Sequence, residues 1–249
     1  MVVQYQERFS ETHPEMYDAG ARRVKADKAL AILEDHFGDL SGLRLLDFGC
    51  SNGLMTRWYG ERLKEVVGVD IDEPGIAYAT AHNDAPNVRY ELIHGVESGQ
   101  PDASFDVVTC THVYEHVPDP AAMLDEIRRA LRPGGACLFI AGNRLTWMEA
   151  DNGLPLLSVL PRGLADGYVK LAGKGDRYHE RLLTVRGLRR LVAGFDVVDY
   201  TLRVIREPAR FKAKDLVSDG SFKQRASLGL MSVAYWMCPT YIWLLVRRP

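Results

Sequence analysis

Cysteine is scarce in this 249-residue sequence: Cys50, Cys110, Cys137 and Cys238 stand far apart, with no C-x-x-C pair. Neither a disulfide framework nor a zinc cluster fits that spacing, so reduced structural thiols in a cytoplasmic protein are expected. No charge sign dominates, with 31 basic against 33 acidic residues and a formal net charge of −2. A general polyanion binder is therefore not expected, which argues against nucleic acid as the substrate. The opening MVVQYQERFSE turns polar within a few residues and does not read as a secretory signal. The dinucleotide fingerprint G-x-G-x-x-G is missing too, because Ser51 stands where the second glycine belongs and Asn52-Gly53 closes the loop early.

One long charge-free run is present, Ala226 to Val246, which meets the crude length criterion for a membrane span. Pro239 interrupts it, Ser227, Ser232 and Thr240 dilute it, and Tyr241 to Val246 is strand-like. A helix from Phe222 to Met237 followed by a buried strand is expected instead. That helix can still touch a membrane surface with Trp236 and its neighbours.

With 47% hydrophobic residues the chain has ample material for a core. Its centre is the stretch Leu43 to Asp70. An apolar run to Phe48 breaks into the turn Asp47 to Gly53, resumes with helical character, and is followed by a second apolar run, Val66 to Val69, ending on Asp70. This is a strand, turn, helix, strand unit with a carboxylate at the carboxyl end of each strand, where open parallel sheets bind ligands. Gly49 and Gly53 would let backbone approach a ligand, and Asp70 is suited to bridging two ribose hydroxyls.

The rest alternates in the same way. A helix is expected over Pro14 to Phe37, capped near Thr12 or His13, with Val24, Ala31 and Ile32 facing inward. Asp72-Glu73-Pro74 starts a helix running to about Asn83, and Val88 to Ile93 gives a third strand. Phe105 to Cys110 gives a fourth. Asp119-Pro120 opens an amphipathic helix with Met123, Leu124, Ile127 and Leu131 inward; Arg132-Pro133-Gly134-Gly135 stops it before a fifth strand, Ala136 to Ala141. Between Arg144 and Glu180 the pattern is too long and too apolar for a plain connection and suggests a cap. Thr184 to Val192 reads as helix, Phe195 to Val204 as a sixth strand, and Glu207 to about Lys223 as a basic insertion. The expected fold is α/β, a doubly wound, mainly parallel seven-stranded sheet with an antiparallel last strand and a helical cap. One domain is expected: residues 1–40 a helical lid, 41–143 the binding core, 144–182 the cap, and 183–249 the remaining sheet.

LLDFGCSNG, then VVGVDID, SFDVVTC, YEHVPDP and LRPGG occur in this order, and over roughly Leu43 to Asn143 the sequence resembles the class I S-adenosylmethionine-dependent methyltransferases, most closely the branch with the ubiquinone-biosynthesis O-methyltransferases. The resemblance implies S-adenosylmethionine as cofactor, held by Asp47, Gly49, Cys50, Ser51 and Gly53 after the first strand. Asp70 and Ile71 would hold ribose and adenine, with Val96 and Thr111 completing the set. The turn His94-Gly95-Val96-Glu97 lacks the acidic residue at the place where many such enzymes contact adenine. A leading segment often closes over the ligand in that family, which makes Tyr5, Tyr17 and Arg23 candidates for a ligand face.

For the chemistry, His116, Glu115 and His179 are the candidate catalytic residues, since imidazole titrates near neutral pH and can take a hydroxyl proton. The places matching His112, Glu115 and His116 hold two glutamates and a histidine in the ubiquinone-pathway enzymes and are associated with a divalent metal. Histidine at the first place shifts preference away from magnesium, and no metal is assigned. The acceptor implied is a small or lipid-like molecule methylated at oxygen, with Trp147, Leu154, Leu156, Leu157, Val159, Leu160 and Tyr168 of the cap either facing it or folding back as core. The alternatives are a nicotinamide-dependent oxidoreductase on a similar sheet, or a binding module that keeps the cofactor pocket without turnover.

Overall fold

The central apolar runs, Arg44–Phe48, Glu65–Asp70 and Phe105–Thr111, become strands because each is buried on both faces of a parallel sheet. The structure, a computed structural model, describes residues 5–149 and 152–249. Its sheet contains β1 (Arg44–Phe48), β2 (Glu65–Asp70), β3 (Val88–Leu92), β4 (Phe105–Thr111), β5 (Leu131–Gly142), β6 (Phe195–Asp199) and β7 (Thr240–Arg247). The order is β3-β2-β1-β4-β5-β7-β6. β1 to β5 run parallel, whereas β7 lies antiparallel between β5 and β6. The strand order reverses at β1 and β4, so the crevice there is the site expected of a doubly wound sheet.

The helices are α1 (Phe9–Thr12), α2 (Ala19–Phe37), α3 (Leu54–Tyr59), α4 (Glu73–Ala81), α5 (Pro120–Ala130), α6 (Arg162–Leu171), α7 (Val185–Leu191), α8 (Thr201–Arg206) and α9 (Phe222–Val233). Asp72, Asp119 and Thr184 cap α4, α5 and α7, each accepting from first-turn backbone N–H groups. Asp119 accepts from Ala121 and Ala122 at 3.0 and 3.1 Å. Asp119→Ala should cost about 1 kcal/mol of stability, measured by urea unfolding. No change would mean that water replaces the cap fully.

Three expectations need correcting. Pro14–Tyr17 is a separate 3-10 turn, and the long helix starts at Ala19 with Asp18 as its cap; Val24 is exposed, while Ala31 and Ile32 are buried. The fifth strand starts at Leu131, which pairs with Phe105, and a register shift accommodates the Pro-Gly-Gly before Ala136 pairs with Val107. The sixth strand ends at Asp199, and residues 201–206 turn into α8. Tyr200 and Val204, four residues apart, are buried against α2, where Tyr200 Oη donates to Asp35 at 2.8 Å. A spacing of four rather than two decides for helix there.

The charge-free run forms α9, a short 3-10 turn at Tyr235–Met237, and β7. No described helix is long and apolar enough to cross a membrane. All four cysteines are buried free thiols.

Candidate functional site

The loop after β1 is built by two left-handed glycines, Gly49 at φ +83° and Gly53 at φ +72°. A side chain at either would strike protein: Val113 at Gly49, and Tyr90 and Ala79 at Gly53. These glycines thus close the loop against β3, α4 and the turn after β4, and the ligand is offered backbone as a consequence. Gly49 and Cys50 donate backbone N–H to Val69 O at 2.9 and 3.2 Å, which pins the loop to the end of β2.

Asp70, at that end, accepts from Ser51 N at 2.6 Å and Asp72 N at 2.9 Å. Loss of water around it pushes its pKa up to about 6, even though these backbone donors and that of Ile71 pull the other way. Three backbone donors do not exhaust the lone pairs of the two carboxylate oxygens, so acceptor capacity remains for a further donor. Asp47 differs: it is 5% exposed and accepts from Thr56 Oγ1 at 2.6 Å and Thr109 Oγ1 at 2.7 Å. Burial raises its pKa and the two hydroxyls lower it again in part. Its charge acts on the crevice as a field behind the loop. Thr56 and Thr109 are the site-building residues the sequence did not single out, although Thr109 lies within the SFDVVTC run.

Ile71, Val96 and Val113 pack, half-buried, on the core beside this loop. Thr111 ends β4, paired with Ile140. The residues expected to hold the cofactor are therefore gathered at the carboxyl ends of the adjacent strands β3, β2, β1 and β4. A glycine cradle, a carboxylate with lone pairs to spare and flanking aliphatic side chains fit an adenosyl ligand.

The leading segment lies across this loop. Ser10 donates through N and Oγ to Asp72 at 2.9 and 3.1 Å, and Asn52 Nδ2 donates to Met16 O at 2.9 Å. Of the residues proposed to face a ligand, Tyr17 packs edge-on against Tyr78. Arg23 pairs with Glu61 and Asp27 over the Trp58 ring, an outward packing role. The side chain of Tyr5 lies outside the described residues, as do residues 1–4, 150 and 151.

Next to the crevice, at the ends of β4 and β5, is a cavity of about 170 Å³ lined by His112, Glu115, Gly142, Thr146, Met148, Glu180 and neighbours. The segment from His112 to Val117 is turn rather than helix, and His112 has φ +56°. Its backbone N bonds Ile140 O at 2.8 Å, and Tyr114, fully buried, donates to Gly142 O at 2.6 Å and accepts from Leu183 N at 3.0 Å. The segment is thus clamped between β5 and the point where the cap rejoins. Glu115, 3% exposed, meets His112 Nδ1 through Oε1 at 3.1 Å, and its Oε2 is buried without a hydrogen-bond partner. Among the described residues no three His, Cys, Asp or Glu side chains are grouped to hold a metal ion.

Of the catalytic candidates, Glu115 lines the cavity; His116 and His179 are not among its lining. His116 lies 5.5 Å from the Phe9 ring of the leading segment. Desolvation lowers the pKa of His179 and outweighs the pull of Asp166, keeping it neutral further into acid. Glu180, whose side chain lines the cavity, was overlooked beside His179. In the cap, Leu157, Ala165 and Val169 form a small core with Leu154, Leu160, Tyr168 and Tyr178, while Trp147, Leu156 and Val159 stay exposed. The apolar residues of the cap fold back on one another, and Met148 and Leu182 supply the apolar wall.

Residues 46–139 match a family model described as a methyltransferase domain. The chain is similar to the ubiquinone biosynthesis O-methyltransferase of Idiomarina loihiensis, 34% identical over 168 residues that cover 65% of this chain and 64% of that protein. It is also similar to the enzyme of the same name from Acinetobacter baylyi, 32% identical over 155 residues covering 59% and 65%. The chain thus spans just under two thirds of the length of these relatives. Among solved structures it resembles an S-adenosylmethionine-dependent methyltransferase from Mesorhizobium loti, with TM-score 0.58 and 18% identity over 88% of this chain and 98% of that one. A geranyl diphosphate C-methyltransferase from Streptomyces coelicolor gives TM-score 0.53 and 16% identity over 89% and 77%. At such identities the structures show the fold alone. In sequence and in fold, the resemblance to class I S-adenosylmethionine-dependent methyltransferases holds.

Proposed function

We infer that this chain is a class I S-adenosylmethionine-dependent methyltransferase acting on a small or lipid-like acceptor, at oxygen, in the cytoplasm. The observation that carries the reading is the pairing of the Asp70 crevice with the Glu115 cavity at adjoining strand ends. The four buried free thiols fit a reducing compartment. The domain limits are proposed as read from the sequence, with a lid over 1–40, the core over 41–143, the cap over 144–182 and the rest of the sheet beyond.

When bound, the cofactor supplies a methyl group already activated on a sulfonium, so the protein contributes alignment, water exclusion and proton handling. Asp70 accepts the ribose hydroxyls, while Gly49, Cys50, Ser51 and Gly53 present backbone to the methionine part. The buried negative charge of Asp47 lies behind them and favours a cationic ligand. Ile71 and Val96 would flank the adenine, and Thr111 would border the methyl donor. The leading segment, latched to Asp72, and the cap exclude water from the two sides. Glu115 Oε2 would take the hydroxyl proton of an acceptor whose oxygen receives the methyl group, the cofactor leaving as its neutral thioether. His116 and His179 stand as second places for that proton, next to the lid and the cap.

Release of S-adenosylhomocysteine, screened across phenols, sugars, amines and lipid extracts, tests turnover and acceptor class together. Stimulation by hydroxylated aromatic or lipid fractions is expected; release with amines alone would move the acceptor atom to nitrogen. The oxidoreductase alternative gains nothing from the loop, whose missing glycine leaves the dinucleotide fingerprint unmet.

A further inference from the structure

α9 packs Met231 against the core and leaves most of its other large apolar side chains outside. Its one buried side chain is polar, Gln224, whose Nε2 donates to Ile205 O at 2.9 Å and Arg206 O at 3.1 Å. Its outward stripe is apolar: Phe222, Leu230 and Val233 are 81%, 58% and 88% exposed, and Trp236 and Met237 follow in the next turn, about half exposed. Phe222, Ala226, Leu230 and Val233 are spaced by four, four and three residues and so share one side of the helix. Apolar groups gathered this way on a surface mark something to be covered.

The surroundings say what covers it. Residues 181–225 contain eleven basic and five acidic side chains, in a chain whose net charge is −2. Where α7, α8 and the turn after α9 meet, a cavity of about 310 Å³ is lined by Arg189, Arg203, Arg206, Asp199, Leu202 and Tyr235. The Asp199 carboxylate is already engaged, accepting from Tyr235 Oη at 2.5 Å and Thr201 N at 2.8 Å. Arg203 is tied to Asp35 at 2.8 Å. Among the described residues, Arg206, Lys223 and Arg225 make no ion pair. Three guanidinium groups around a cavity suit a phosphate group, and the Gln224 bond to the Arg206 carbonyl fixes the apolar stripe beside it.

We propose that the face formed by α8, α9 and the Tyr235–Met237 turn docks on an anionic phospholipid surface, with headgroup phosphate in the arginine cavity and the Phe222–Val233 stripe at the acyl boundary. A second copy of this chain fits less well, because a two-fold contact would bring the same basic patch face to face. The lipid surface offers opposite charge and an apolar layer at once. The face also adjoins the acceptor site: Asn143, which lines the Glu115 cavity, donates from Nδ2 to the carbonyl oxygens of Trp236 and Cys238 at 2.9 and 2.8 Å. If the Proposed function holds, a lipid-borne acceptor would enter beside the docked face.

The test is co-sedimentation of the full chain, without cofactor, with phosphatidylcholine vesicles that contain or lack phosphatidylglycerol. Binding to the anionic vesicles alone is expected, weakening as salt rises. Arg206→Glu, a change of two charges, should weaken it roughly thirtyfold, at about 1 kcal/mol per charge near the surface. The double variant Phe222→Ser with Val233→Ser should reduce it at least as much, with circular dichroism melting showing that both variants remain folded. Equal binding to neutral vesicles, or none to either, would overturn the proposal. So would inorganic phosphate binding that the Arg206 variant loses while vesicles are ignored, which would make the cavity a free-anion site. A concentration-dependent dimer in ultracentrifugation that the double serine variant abolishes would assign the face to self-association instead. Because the readout needs no methyl transfer, its failure leaves that reaction untouched, and a failed methylation assay leaves the docking result standing.

Discussion

Glu115→Gln should lower turnover by roughly 10² to 10⁴, the usual contribution of a placed general base, while cofactor affinity stays within about twofold. The effect rests on one oxygen. Glu115 Oε2 is buried without a hydrogen-bond partner, and a carboxylate left so costs stability that some ligand donor must offset. Its Oε1 is fixed by His112, and its backbone carbonyl accepts from Arg181 N at 2.8 Å where the cap rejoins. The glutamine variant preserves shape and removes only the basic oxygen, so a fall in turnover at unchanged fold isolates proton transfer. Equal losses in turnover and in cofactor affinity would instead make Glu115 a structural residue, and the base would have to be sought at His116 or His179.

The second large effect concerns Asp70. Asp70→Ala should weaken S-adenosylmethionine binding by about 1 to 3 kcal/mol, the loss for a charged hydrogen-bonding partner. Acid should imitate the substitution in part. The Asp70 pKa in the ligand-free protein is pushed up to about 6, so below that pH the group is protonated and loses acceptor capacity. Affinity should therefore rise between pH 5 and pH 7 in the native protein and stay flatter in Asp70→Asn. A native profile that is level across that range, or that runs the other way, would mean the ribose is held elsewhere.

Most of the sheet could be read from the sequence because buried parallel strands are short unbroken apolar runs, and VVGVD and FDVVTC are such runs. The last strand was also readable: Tyr241 to Val246 pairs antiparallel beside the sixth, as the apolar residues suggested. Where two periods compete, the sequence misleads. Phe195 to Val204 looks like one alternating strand, yet Asp199 bonds Thr201 N and the chain turns helical to bury Tyr200 and Val204 against α2. His112 to His116 has helical spacing, yet the segment is held as a turn by Tyr114, whose partners Gly142 and Leu183 are 28 and 69 residues away.

The same contrast runs through the site. Asp47 and Asp70 were legible because each follows its strand directly, but the partners of Asp47 were not. Thr109 reaches it from 62 residues away, across the β1–β4 pairing, and Thr56 from inside α3. Glu180 meets the Glu115 cavity only because the cap folds back. The exposed apolar stripe of α9 was hidden for another reason: composition reports an apolar stretch without saying which side of it meets the protein.

The most direct measurement is a calorimetric titration of the ligand-free chain with S-adenosylmethionine, S-adenosylhomocysteine and NAD in turn. One site for each adenosyl ligand, weakened by Asp70→Ala, and no heat with NAD is the predicted result. Saturable NAD binding with none of S-adenosylmethionine would contradict the account at its root.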